Sequence, residues 1–183
     1  MPGPVRVSAK AVIIEDGRIL LTRHRDAEGD WYLLPGGGQR HGETLHEALV
    51  RECREETGCT VEPGRLLLVR DYIGAHHEFA DEDADAHQVE LMFACRRVAG
   101  AAPPSSTQAP SSAQPPVGTP TPSGGAASGG ELANGPVPDP MQTGVEWIPL
   151  ADLPRIRIYP SQLAGLLARG IPDGGPVYLG DVN

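Results

Sequence analysis

The stretch Pro35–Cys59 reads PGGGQRHGETLHEALVRECREETGC. It runs from the glycine triplet Gly36, Gly37 and Gly38 through a helix-start signal into a helix whose later half carries Glu52, Glu55 and Glu56. Thr44 followed by Glu47 spells a capping box, T-x-x-E, so the helix is predicted to start at Thr44 and to run to Thr57, with Gly58 as its C′ residue. At about 100° per residue, Leu45, Ala48, Leu49 and Cys53 share a core-facing arc, while Glu47, Arg51 and Arg54 fall on the solvent side. Glu52, Glu55 and Glu56 share the inward arc with the apolar residues.

A charge run on a helix is usually a solvated face, but here Glu47, Arg51 and Arg54 already fill that face. Two carboxylates about 5 Å apart repel by roughly 3 kcal/mol at an effective dielectric near 20. Partly buried and uncompensated, they would protonate or unravel the helix end. A divalent cation relieves the conflict, and hard oxygen ligands without His or Cys suit Mg²⁺ or Mn²⁺. The glycines fit the same picture. Lacking Cβ, the Gly36–Gly38 backbone can come close to a ligand or offer a carbonyl to the metal, and the amides at the helix start favour anions. A glycine triplet alone is an ordinary turn; beside an acidic metal cluster it suggests a phosphate substrate.

Composition supports this. The chain has 183 residues, enough for one domain with a full core, and is 39% hydrophobic with a net charge of −9. So acidic a chain is a poor general binder of duplex nucleic acid or anionic membrane, so a phosphate substrate needs a bound cation to attract it. The N-terminus, MPGPVRVSAK, has no apolar run of the signal-peptide kind, and no segment approaches membrane-spanning length. Cys53, Cys59 and Cys95 form no C-x-x-C pair, and the odd number argues for free thiols in a reducing cytoplasm.

Along the chain, RVSAKAVIIEDGRILLTRHR reads as two strands about the turn Glu15-Asp16-Gly17. WYLL (Trp31 to Leu34) is a short strand, Gly36–Gly38 a loop, and RLLLVRDYIG and HQVELMFACRRV are further strands. VEWIPL is another strand, and a short helix is expected around PSQLAGLLARG. Strands mixed with two helices imply an α/β or α+β sandwich. Residues 99–140 are rich in Ala, Pro, Ser, Gly and Thr, with no aromatic residue and no charge between Arg97 and Glu131. Such a segment is expected to be a disordered low-complexity insertion within a single domain spanning 1–183. The competing reading, an interdomain linker, leaves too short a remainder for a second core.

Gly37, five residues, Glu43, seven residues, then Arg51-Glu52-Cys53-Arg54-Glu55-Glu56-Thr57-Gly58-Cys59 resembles the Nudix box, G-x5-E-x7-R-E-U-x-E-E-x-G-U with U a bulky apolar residue. Every fixed residue is met, and Cys53 and Cys59 take the apolar places. The resemblance implies the Nudix α/β/α sandwich with a mixed sheet. It implies that Glu52, Glu55 and Glu56 ligate Mg²⁺ or Mn²⁺ with a contribution from the Gly37 carbonyl, that Glu43 binds metal or holds the loop, and that Arg51 orients the glutamates by salt bridging. It implies metal-dependent hydrolysis of a diphosphate bond in a nucleoside diphosphate derivative or a (d)NTP, by a cytoplasmic protein of a family whose members are often homodimers. The rival reading is a catalytically inactive Nudix-like nucleotide-binding or sensor module; an intact box favours the enzyme.

Members of this family often take one more acid from outside the box. Candidates are Glu90, which alternates with Val89 and Leu91 and so faces away from both, and the acids of Asp81 to Asp85. A solvent-facing role is the alternative for each. His24, His76, His77 and His87 read as surface or loop histidines, and Trp31, Tyr72, Phe79 and Trp147 as core aromatics. The box loop departs from the common pattern in reading Gln39-Arg40-His41 where an acid is usual. The placements that accompany ADP-ribose, diadenosine polyphosphate or coenzyme A specificity are missing, which leaves the substrate open.

Overall fold

The computed structural model describes residues 3–78, 80–98, 131–132, 134–170 and 174–183. The N-terminal hairpin forms as read: β1 (Arg6–Glu15) and β2 (Arg18–Asp26) pair Glu15 with Arg18 and Ile14 with Ile19. Asp16 and Gly17 make the turn with φ of 49° and 71°, the left-handed pair that matches strand twist. There follow β3 (Gly29–Leu33), β4 (Gly36–Gly38), α1 (Leu45–Thr57), β5 (Val61–Ile73), the short helix α2 (Ala80–Asp83) and β6 (His87–Arg97). The chain closes with β7 (Glu131–Leu132), β8 (Gln142–Pro149), β9 (Arg157–Tyr159), α3 (Gln162–Ala168) and β10 (Val177–Asp181).

Among the described residues the strands form one mixed sheet, in the order β10-β5-β6-β1-β2-β3-β9. β1 is its hub. It pairs in parallel with β6, bringing Ser8 opposite Glu90, and antiparallel with β4 along residues 8–10. β2 lies between β3 and β8, and β10 runs parallel to β5 with Val177 opposite Leu68. Strand alternation splits the core in two. Ala9, Ala11 and Ile13 of β1 meet Leu49 and Cys53 of α1 on one face. Val12, Leu68 and Met92 meet Leu163 and Leu167 of α3 on the other. A helix on each face of a mixed sheet is the α/β/α sandwich expected.

The sequence reading took the glycine triplet as a loop; the structure pairs it with β1 as β4. The approach is close enough that a Cβ on Gly36, whose φ is +130°, would lie 2.2 Å from the Ala9 carbonyl oxygen. β9 and β10 were not read from the sequence at all. Of the expected 99–140 insertion, residues 99–130 and 133 lie outside the described residues, as does Phe79. Residues 131–132 and 134–140 belong to the folded unit. The amides of Gly135 and Val137 donate to the Glu56 and Glu55 carbonyls, each at 2.8 Å. These carbonyls belong to the last turn of α1 and have no partner within the helix. Gln142 Nε2 adds a bond to the Glu56 carbonyl at 2.8 Å and another to Asn134 Oδ1 at 3.0 Å.

Candidate active site

The site is assembled by α1 against β4. Thr44 and Glu47 close the capping box reciprocally, and Gly58 ends the helix at φ 70°. Between these stops, Ala48, Leu49, Cys53 and Thr57 are buried, which pins the rotation of the helix about its axis. Glu52 and Glu56 are thereby turned to the β4 backbone. A Cβ on Gly37 would sit 2.7 Å from the Glu52 carboxyl carbon, so any larger residue there would push that carboxylate aside. Glu56 Oε2 accepts from the Gly36 amide at 2.9 Å.

Arg51 holds the other side of the cluster. Its Nε lies 2.6 Å from Glu43 Oε1, and its Nη1 lies 2.5 Å from Glu52 Oε1 and 3.1 Å from Glu55 Oε2. Its Nη2 donates to the Gly38 carbonyl at 3.1 Å. The helical wheel had put Arg51 on the solvent side, yet its side chain is only 17% exposed. The long arm reaches back from its helical position into the 38–43 loop, drawn by carboxylates on both sides of it. The Arg51 guanidinium and then the Arg40 amide hold the Glu43 carboxyl down at about 2. Glu56 has no such guanidinium. Burial pushes it up to about 7 against the pull of Lys10 and the Gly36 amide.

Glu52, Glu56 and Gly36–Gly38 line a cavity of about 290 Å³ whose other walls include Arg6, Lys10, Thr22, His24, Gln88 and Asp139. Lys10 Nζ donates to the Gly36 carbonyl at 2.5 Å. Arg6 and Lys10 are the cations the sequence reading missed; their position on β1 beside the triplet became visible only with the β1–β4 pairing. His24 corrects the surface assignment. It is 3% exposed, stacks on Trp31 at 4.4 Å, and is held low, at about 4, chiefly by burial. The Thr22 hydroxyl lies 3.1 Å from His24 Nε2 and 3.3 Å from the Leu33 carbonyl oxygen, which ties the ring to β2 and β3.

Glu55 stays with Arg51 and is not part of the cavity wall. Glu90 is buried at 6% exposure on the face of the sheet away from α1, with Arg70 Nε 2.6 Å from one oxygen and Gln88 Nε2 2.8 Å from the other. Burial alone would raise its pKa, but Lys10 and Arg70 hold it below the ordinary carboxylate value. In the Asp81 to Asp85 run, Asp83 accepts from the Tyr72 hydroxyl at 2.9 Å. His77 stacks on Tyr72 and, with His76, meets Asp181 of β10. Trp147 lies in the core as read, and Cys53, Cys59 and Cys95 are free. Among the described residues, no three His, Cys, Asp or Glu side chains converge as a preformed metal cluster, because Glu52 and Glu55 turn to Arg51 and Glu56 to an amide.

This arrangement of an acidic helix over a glycine strand has known counterparts. The family model described as NUDIX domain matches residues 4–113, and the chain belongs to that family. Over 79 residues it is 38% identical to the 8-oxo-dGDP phosphatase of Homo sapiens, covering 38% of this chain and 24% of that protein. Over 95 residues it is 30% identical to the ADP-ribose pyrophosphatase of Methanocaldococcus jannaschii, covering 51% of this chain and 52% of that protein. The chain thus spans about half or less of the length of these relatives. The solved MutT NUDIX hydrolase from Burkholderia pseudomallei superposes with a TM-score of 0.53 at 27% identity, covering 88% of this chain and 96% of that one.

Proposed function

We propose that residues 1–183 act as a hydrolase of diphosphate bonds in small nucleotides, either nucleoside diphosphate derivatives or (d)NTPs, with a divalent cation. The observation that carries this reading is the cavity in which Glu52 and Glu56 face the glycine strand beside Arg6 and Lys10. Carboxylates to hold a cation and cations to receive phosphate oxygens occur there within one small space. The names of the relatives, a phosphatase of a nucleoside diphosphate and a pyrophosphatase, point the same way.

The donor set suits a hard divalent ion. Glu52 and Glu56 offer carboxylate oxygens and Gly37 a carbonyl, and Glu56 is a partly buried carboxyl pushed up to about 7 by burial. Glu52, Glu55 and Glu56, with the Gly37 carbonyl, would hold Mg²⁺ or Mn²⁺. When bound, such an ion neutralises diphosphate charge and lowers the pKa of an attacking water. The protein's own part is positional. Arg51 ties Glu43, Glu52 and Glu55 to the Gly38 carbonyl, so the loop and helix keep one relative placement. Lys10, bonded to the Gly36 carbonyl, is placed to meet phosphate oxygens. These devices supply orientation and charge stabilisation, which carry most of phosphoryl-transfer catalysis.

The test is a panel of nucleoside diphosphate derivatives and (d)NTPs with Mg²⁺, scored for formation of the nucleoside monophosphate. Hydrolysis of at least one diphosphate compound, lost in EDTA, is expected. Binding of nucleotides without turnover would instead make the chain a sensor module. Activity confined to simple phosphomonoesters would overturn the reading.

A further inference from the structure

We infer that Gln88 is a specificity-determining residue of the cavity, and that the buried Arg70–Glu90 pair exists to hold its amide in one orientation; this deepens the hydrolase reading and rests on it. Gln88 stands at the start of β6 and lines the cavity shared with Glu52, Glu56 and the glycine strand. Its Nε2 donates to Glu90 Oε1 at 2.8 Å. An ionised carboxylate only accepts, so the Gln88 amide cannot turn its oxygen toward Glu90. Its Oε1 is left as the outward acceptor, and no hydrogen bond to it is made among the described residues.

Glu90 is itself fixed. Arg70 Nε binds its second oxygen at 2.6 Å, and Arg70 Nη1 donates to the Val182 carbonyl at 2.6 Å. Arg70 is 4% exposed and Glu90 6%, so both charges have been taken out of water. Burying such a pair is costly, and apolar residues of like volume would serve the core as well or better. Two other roles for it fare worse. As a catalytic base Glu90 is poorly placed, since both oxygens are engaged and the side chain lies outside the cavity wall. As a core brace it is inferior to an apolar pair. What the pair achieves that an apolar pair cannot is to make a carboxylate that stays ionised beside Gln88, and so to define which end of the amide meets the ligand.

An obligate acceptor in the wall selects a ligand that offers a donor. The substrate class is therefore a nucleotide whose nucleoside presents an O–H or N–H to Gln88, either a sugar hydroxyl or an exocyclic amino group. A ligand lacking that donor leaves the amide oxygen desolvated and unpaired, which is a strong basis for discrimination.

The probes are ATP against purine riboside triphosphate and GTP against ITP, which differ in the exocyclic amino group, and ATP against 2′,3′-dideoxy-ATP, which differs in the hydroxyls. Turnover with Mg²⁺ and equilibrium binding are both measured. In the unaltered protein, one donor-bearing member is expected to lead its partner by about tenfold in kcat/KM. In Gln88→Met the ratio falls toward one, with the loss carried by KM. In the double variant Arg70→Met/Glu90→Met, which exchanges the buried pair for apolar groups and so keeps the fold, the ratio falls as well. A ratio unchanged in Gln88→Met overturns the role of Gln88, and a ratio kept in the double variant overturns that of the pair. Failure of these probes and of every nucleoside diphosphate derivative to bind or turn over in the unaltered protein would instead sink the hydrolase reading itself, and this inference with it.

Discussion

Glu56→Gln should stabilise the metal-free protein while removing most of its turnover. The Glu56 carboxyl is held at about 7 against an ordinary 4.5. That gap is worth about 3 kcal/mol. Because the folded state binds the proton more tightly, the ionised carboxyl costs nothing below pH 4.5, its cost grows between pH 4.5 and 7, and it is constant above. Glutamine is neutral, nearly the same shape, and still accepts from the Gly36 amide. In EDTA the variant should exceed the parent by about 3 kcal/mol at pH 8, and by almost nothing at pH 4.5. His24 sharpens the test. Its ring is held at about 4 against 6.5, so the stability of its neutral form is complete above pH 6.5 and is lost as pH falls toward 4. In the parent the two trends oppose each other between pH 4.5 and 6.5. In the variant only the His24 trend remains, so acidification should weaken it clearly more than the parent. The assay is urea unfolding in EDTA across this range. With Mg²⁺, turnover should drop by at least about a hundredfold. A variant no more stable than the parent at pH 8, or one whose advantage persists to pH 4.5, would refute the reasoning.

Arg51→Lys keeps the charge but loses the planar fork that reaches Glu43, Glu52, Glu55 and the Gly38 carbonyl. It should cost about 1–3 kcal/mol by thermal unfolding and lower kcat. Millimolar Mg²⁺ or Mn²⁺ should raise the Tm of the parent by linkage, and the rise should shrink in Glu52→Gln; an equal rise in both would exclude Glu52 as a ligand. Replacing residues 99–130 by a short Gly/Ser connection should leave Tm and turnover nearly unchanged. Extending the replacement through Pro138 removes the amides that meet the Glu55 and Glu56 carbonyls and should cost about 1–3 kcal/mol, read from the same melts.

The helix was legible to within a residue, because capping and C-cap chemistry are local and Thr44, Glu47 and Gly58 state them directly. The hairpin turn at Asp16-Gly17 was legible for the same reason. What escaped depended on partners far along the chain. Gly36–Gly38 carries no strand propensity, and only β1 makes it a strand. The wheel gives the direction of a Cβ, not the reach of a long side chain, so it misjudged Arg51. His24 and Glu90 look like polar residues on half-exposed strands; their burial follows from Trp31 in one case and Arg70 in the other. Asn134–Pro140 reads as low complexity because its bonds to the end of α1 are made by the backbone amides of Gly135 and Val137, which composition does not record.

The pairing of β10 with β5 has a consequence for how the protein is made. β5 and β6 are complete when the ribosome has emitted residue 97, yet among the described residues the strand that pairs with the far side of β5 is Val177–Asp181. Throughout the synthesis of everything between, the nascent chain presents an open row of amides and carbonyls along β5, the kind of surface that recruits strands from neighbouring molecules. Val177–Asp181 thus acts as an intramolecular guard. Chains interrupted before Val177 should be lost to aggregation while their box helix remains intact. The pairing of β10 makes synthesis through Asp181 a condition of a covered β5 edge.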